Sequence, residues 1–245
     1  MSESTADFAA APAPAQSSFW EDLFDIFYKP SAVFQRRQGK SPWPPLLFVT
    51  IVVAVIAFAT FNTMEPIIDA EFTRATAKAV QQNPQAAQAM EKMRSVSMTI
   101  GKFIVGPMTL LSMFVVGVVA WILGKLFGST QKFEDAISVA GWAFMPRVLG
   151  SILGAVQALL MDPAKLTSAQ AITLSPARFL SPETTNPLVF QLLGRFDLMI
   201  LWQTVLLAIG LRITGKVGKT GAIVFGVLIW LLGALPVIRS AMAQM

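Results

Sequence analysis

Five apolar stretches, almost free of charge, decide the medium in which this chain folds. They run from Leu46 to Phe61, Phe103 to Leu123, Ala136 to Leu160, Leu198 to Ile213 and Ala222 to Ile238. Each is near the length a helix needs to cross a hydrocarbon core of about 30 Å. Inside a bilayer no water satisfies the backbone, and a helix pairs its own N–H and C=O groups. The expected fold is therefore an all-α membrane protein, a five-span transmembrane helical bundle occupying residues 41–245. Composition agrees: apolar residues make up 54 % of the chain and charged residues 13 %, against about 25 % charged in soluble domains.

The segment before the first span divides in two. Residues 1–17 are mainly Ala, Pro and Ser, with too little to bury, and are expected to be a disordered tail. They lack the basic start and apolar core of a cleavable signal, so the first span is expected to act as signal anchor. Residues 18–40 are expected to form two amphipathic interfacial helices. Ser18 and Glu21 have the spacing of a capping box. Phe19, Trp20, Leu23, Phe24 and Phe27 then share one helical face, opposite Glu21, Asp22 and Asp25. The second helix starts at Pro30, carries Val33 and Phe34, and ends at Gly39. Arg36, Arg37 and Lys40 are expected to point at headgroups. Trp43, among Pro42, Pro44 and Pro45, marks membrane entry.

Residues 66–100 predict a helical hairpin outside the bilayer, broken at Asn83-Pro84 and running into the second span. Gly106-Pro107 predicts a kink in that span. The proline-rich connection 161–197 contains Leu188 to Leu193, a short apolar piece expected on the membrane surface. Lys and Arg crowd the short flanks on the N-terminal side, which places the N-terminus in the cytoplasm and the C-terminus across the membrane. Gly150 with Gly154, Ala120 with Gly124 and Ala222 with Gly226 have small-xxx-small spacing, which permits close helix contact within the bundle.

Chemistry is sparse. The chain has neither cysteine nor histidine, so disulfides and thiolate catalysis are excluded and the commonest general base is missing. The acids fall in adjacent or nearby positions, as in Glu134-Asp135, rather than in an opposed acid/base pair. No catalytic, cofactor-binding or metal site is expected, and the chain does not read as an enzyme. Gly215 to Thr220 imitates a phosphate loop, but the glycine required five positions before Gly218 is Ile213, and a span follows instead of a soluble helix. The net charge of +5 suits anionic headgroups rather than nucleic acid.

Arg147, directly after Pro146, is the only charge away from a span end. Such residues are costly in a bilayer and often functional. The favoured reading has Pro146 breaking the third segment, so that Arg147 snorkels to the cytoplasmic face. A second has Arg147 binding a carbonyl freed by the proline, and a third makes it part of a transport site. Asp197 is its chemical partner in kind, but the sequence places it at the opposite edge of the membrane.

Three stretches together resemble the Yip1 family of multi-span membrane proteins, in its bacterial branch. They are Asp22-Leu23-Phe24-Asp25-Ile26-Phe27-Tyr28-Lys29-Pro30, Phe133-Glu134-Asp135 through Trp142 to Met145-Pro146, and Phe196-Asp197-Leu198 through Trp202 to Gly210-Leu211. The resemblance implies five spans with a cytoplasmic N-terminus. It favours a bacterial inner membrane over a eukaryotic endomembrane. Eukaryotic members engage Rab-class GTPases through a much longer N-terminal region, and that partner does not carry over. The resulting expectation is a non-enzymatic scaffold that organises the bilayer or binds a membrane protein, including a second copy of itself. The alternative is a small-solute transporter or channel using Arg147 and the Pro107 and Pro146 kinks. Pro30 and Trp202 join these three as candidate functional or structural positions.

Overall fold

The computed structural model describes residues 17–83 and 85–244. The expected disordered tail therefore falls, but for Ser17, outside the described residues. Among the described residues ten α-helices follow in order: α1 (Phe19–Tyr28), α2 (Pro30–Arg37), α3 (Trp43–Thr60), α4 (Glu65–Gln82), α5 (Ala86–Leu126), α6 (Phe133–Ala143), α7 (Met145–Leu160), α8 (Pro187–Gly194), α9 (Leu198–Thr214) and α10 (Lys219–Gln244). No strand occurs among the described residues. The protein is an all-α membrane protein. Four segments are long and apolar enough to cross a bilayer: α3, α5, α6 with α7, and α10. A fifth crossing forms if α8 and α9, bent by 54°, act as one span.

Local chemistry sets the helix ends. Ser18 caps α1 as its spacing predicts: its hydroxyl accepts from Glu21 N–H at 3.2 Å, and Glu21 returns a carboxylate to Ser18 N–H at 2.7 Å. Pro30 opens α2, where its missing N–H costs nothing. Lys29 closes α1 and is the residue before α2, so the two helices meet at a corner. Asp197 caps α9, accepting from Met199 and Ile200 N–H at 2.9 and 3.2 Å.

The bundle core lies between α3, α5, α6 and α9. Its largest fully buried side chain is Trp142 on α6, with Leu46 of α3, Met113 of α5 and Leu206 and Leu211 of α9 around it. Small residues set the helix spacing. A side chain at Gly210 of α9 would meet Val139 of α6 at 2.3 Å, and one at Gly226 of α10 would meet Ala208 of α9 at 3.3 Å. Gly150 faces Met199 and Gly154 faces the Ile172 carbonyl. These glycines serve packing inside the chain.

Two further features shape the bundle. The first is α5, a single 41-residue helix that runs through Pro107 without ending. At 1.5 Å per residue it is about 61 Å long, roughly twice a hydrocarbon core. Its N-terminal part pairs with α4 as the external hairpin, fastened by Arg94 to Asp69 at 2.7 and 2.8 Å. The hairpin turns at Asn83, whose side chain accepts from Gln85 N–H; Pro84 lies outside the described residues. The second is α8, which packs along α10.

Beyond α7 the connection to α8 folds back onto the bundle through three short 3-10 turns. Leu166 from this loop is buried with Ile67 of α4 and Ala158 of α7. Arg74 of α4 donates to the Thr167 carbonyl at 2.6 Å and pairs with Glu183 at 3.1 Å. Hydrogen bonding, first from Ser181, holds the Glu183 carboxyl below its ordinary range despite the opposing effect of burial.

Candidate functional site

At the end of the bundle that carries the N-terminus, α1 and α2 are built into the core. Ile26, Val33 and Phe34 are buried in the same cluster as Leu46, Trp142 and Leu206, and α2 packs on α9. The polar side of this pair departs from the sequence reading. Asp22, expected on a solvent-facing stripe, is completely buried. It accepts from Arg36 and Arg37, and Arg36 also pairs with Asp25 at 2.6 Å. The guanidinium groups therefore point back at α1 and not out at headgroups. A fully buried carboxylate cannot stay charged without such partners. Burial opposes the Arg36 charge, but the hydrogen bonds and charges of Asp25 and Asp22 outweigh it and hold its pKa above the ordinary guanidinium value.

Further contacts close this latch. Arg37 lies over the Trp142 ring at 5.7 Å, and Phe19 packs on the same ring at 5.4 Å. Gly39 N–H donates to the buried Asp135 carboxylate at 2.7 Å, and Gln38 donates to the Thr214 carbonyl at 3.3 Å. Of the predicted apolar face, Phe19, Leu23 and Phe27 are half-buried against the bundle. Trp20, Phe24 and Tyr28 face outward, 65 %, 71 % and 82 % exposed, close in sequence to the half-exposed Trp43.

A second site lies towards the other end. A cavity of about 990 Å³, open at the bundle surface, is walled by α3, α5, α7 and α9 and by the loop before α8. Arg147, Arg195 and Asp197 all line it. The break predicted at Pro146 is present: α6 ends at Ala143, Phe144 is a turn and α7 begins at Met145. Together Phe133–Leu160 still has the length and composition of one 28-residue candidate span. Arg147 sits about 21 Å along it from Phe133 and donates to Gln203 in the middle of α9. Its guanidinium lies 5.2 Å from the Phe144 ring centroid. Asp197, expected across the membrane from Arg147, lines the same cavity.

The remaining candidates separate. Pro107 is exposed on α5, Pro146 is buried in the first turn of α7, and Trp202 is at the outer side of α9 with 36 % exposure. None of them lines the cavity. The residues not singled out by sequence are Arg195 and Gln203. Arg195 donates to the Trp230 carbonyl at 3.1 Å and lies over the Trp230 ring, and the Trp230 indole N–H donates back to the Arg195 carbonyl. The signal for Arg195 was its place between the short apolar piece expected on the membrane surface and the fourth span. No cluster of acidic side chains able to hold a metal occurs among the described residues.

These helices, with an aromatic-faced pair latched at one end and an arginine-lined cavity towards the other, define a polytopic α-helical membrane protein. The chain belongs to the Yip1 domain family, which matches residues 24–239. It is 27 % identical over 219 residues to the membrane protein YknW of Bacillus subtilis (strain 168), covering 84 % of this chain and 86 % of that one. No solved structure matches it.

Proposed function

We propose that this chain is a non-enzymatic scaffold of a bacterial inner membrane, with its N-terminus in the cytoplasm, that organises lipid or a membrane-protein partner through α1. The observation that carries this reading is the outward triad Trp20, Phe24 and Tyr28 on a helix held in place by Asp22, Arg36 and Arg37. A helix fixed to the bundle presents its aromatic face without the ordering cost of a free tail. Aromatic side chains with a polar edge suit the headgroup layer, and the similarity to a bacterial membrane protein supports the location.

Full burial of such side chains is worth about 1.5–3 kcal/mol each. The triple variant Trp20→Ala/Phe24→Ala/Tyr28→Ala is therefore expected to lose contacts more than tenfold while still inserting. Crosslinking of the full-length chain in native membranes, followed by mass spectrometry, reads this directly. An unchanged set of crosslinked lipids and proteins sinks the proposal.

A second reading, transport of a small solute, draws on Arg147 in the cavity. Liposome flux separates the two. Flux in the wild type that is lost in Arg147→Ala establishes transport, and no flux in either removes it.

A further inference from the structure

The arginine cavity is independent of the α1 face and has its own unmet chemistry. Among the described residues, neither Arg147 nor Arg195 forms an ion pair. The nearby carboxylate is already occupied: Asp197 accepts backbone N–H groups from Leu174, Met199 and Ile200. Arg147 spends its Nε on Gln203, and among the described residues no acceptor meets its two terminal nitrogens. The residue is exposed and borders the cavity. Arg195 has a buried Nε with no partner.

Depth sharpens the case. Arg147 bonds Gln203, about 16 Å along α9 from Thr214, and Arg195 bonds Trp230, about 16 Å along α10 from Lys219. Both guanidinium groups therefore contact positions well along helices read as crossing a hydrocarbon core of about 30 Å, where an arginine is expected to have a partner. The walls above them are aliphatic, with Val49, Val53 and Ile56 of α3 and Ile104 and Met108 of α5. The cavity also reaches Thr60, Phe61 and Met64 at the far end of α3, so it is continuous from that end to the arginines. Its volume is at the upper end of the range for small-molecule sites, about 300–1,000 Å³. Gly233 keeps the Arg195 position open, since a side chain there would meet Nη2 at 2.6 Å.

We infer that this cavity binds a membrane lipid with an anionic phosphate headgroup. The phosphate is drawn down to Arg147 and Arg195, whose planar forks suit its oxygens, and an acyl chain lies along the α3–α5 wall. A soluble anion would satisfy the arginines but leave that wall without a partner.

Native mass spectrometry of the full-length protein, with phosphatidylglycerol and phosphatidylcholine offered in equal amounts, tests this. The wild type is expected to retain one phosphatidylglycerol in about tenfold preference, equivalent to about 1.4 kcal/mol. Arg147→Gln is expected to lose the preference, and Arg212→Gln, at the opposite end of α9, to keep it. Met108→Trp, which fills the cavity from its apolar wall, is expected to lose the bound lipid with the arginines intact, and covers the case in which Arg147→Gln does not fold. Equal retention of both lipids by the wild type, or an undiminished preference in folded Arg147→Gln or in Met108→Trp, overturns the inference. So does complete displacement of the lipid by inorganic phosphate, which would make the cavity a site for the free anion.

Discussion

Replacing Asp22 with alanine is expected to release α1 and α2 from the bundle while the spans stay inserted. Asp22 is completely buried and holds two arginines whose side chains are only 28 % and 22 % exposed. Removing one partner of a buried pair costs about 3–5 kcal/mol, because the other charge is left unmatched. Partial exposure of both arginines and the remaining Asp25 contact put this case near about 3 kcal/mol. That corresponds to roughly a hundredfold rise in the undocked population. Tryptic cleavage after Arg36 and Arg37 reads it, since both are shielded in the docked pair. Asp25→Ala leaves Asp22 in place and is expected to have a much smaller effect. Equal cleavage rates in wild type and Asp22→Ala would show that the latch adds nothing.

Gly210→Leu is expected to separate α6 from α9 and to be the most damaging single change within the spans. Even a Cβ at this position meets Val139 Cγ1 at 2.3 Å and Cγ2 at 3.0 Å. Val139 is β-branched and held on a buried helix, so it has no free rotamer to escape into. Inserting volume into a close-packed interior costs about 1–3 kcal/mol even for small additions, and a leucine exceeds that. The melting temperature of the detergent-purified protein should drop sharply. Gly218→Ala, which meets nothing within 4 Å, should leave it unchanged.

The hydrophobic runs made the membrane class and the main crossings legible, because length and the absence of charge are sufficient in a bilayer. The capping box at Ser18 and the corner at Pro30 were legible for the same reason: they depend on neighbours in sequence. What could not be read was which polar residues turn inward. Asp22, Asp135 and Asp197 sit one in each of the three stretches that resemble the family. All three are buried, at 0 %, 4 % and 7 % exposure, and each accepts hydrogen bonds that fasten one element to another or cap it. On a helical wheel Asp22 belongs to the polar side. Its burial follows only once α2 folds across that side and brings Arg36 and Arg37 to it. The break at Pro146 was legible from the proline itself: α6 ends at Ala143 and Pro146 occupies the first turn of α7. The pairing of Arg147 with Gln203 and the sharing of its cavity with Arg195 are tertiary facts, set by how far along α9 and α10 each residue lies.

The latch also orders events during synthesis. The α1–α2 pair leaves the ribosome first, yet α2 packs on α9 and Gln38 reaches Thr214, 176 residues later. Part of its buried face already meets α3 and α6, through Phe19 on Phe48 and Trp142, but docking is complete only once α9 has been made and inserted. The fully docked α1–α2 pair is thus a built-in completion mark, reached only once α9 is in place.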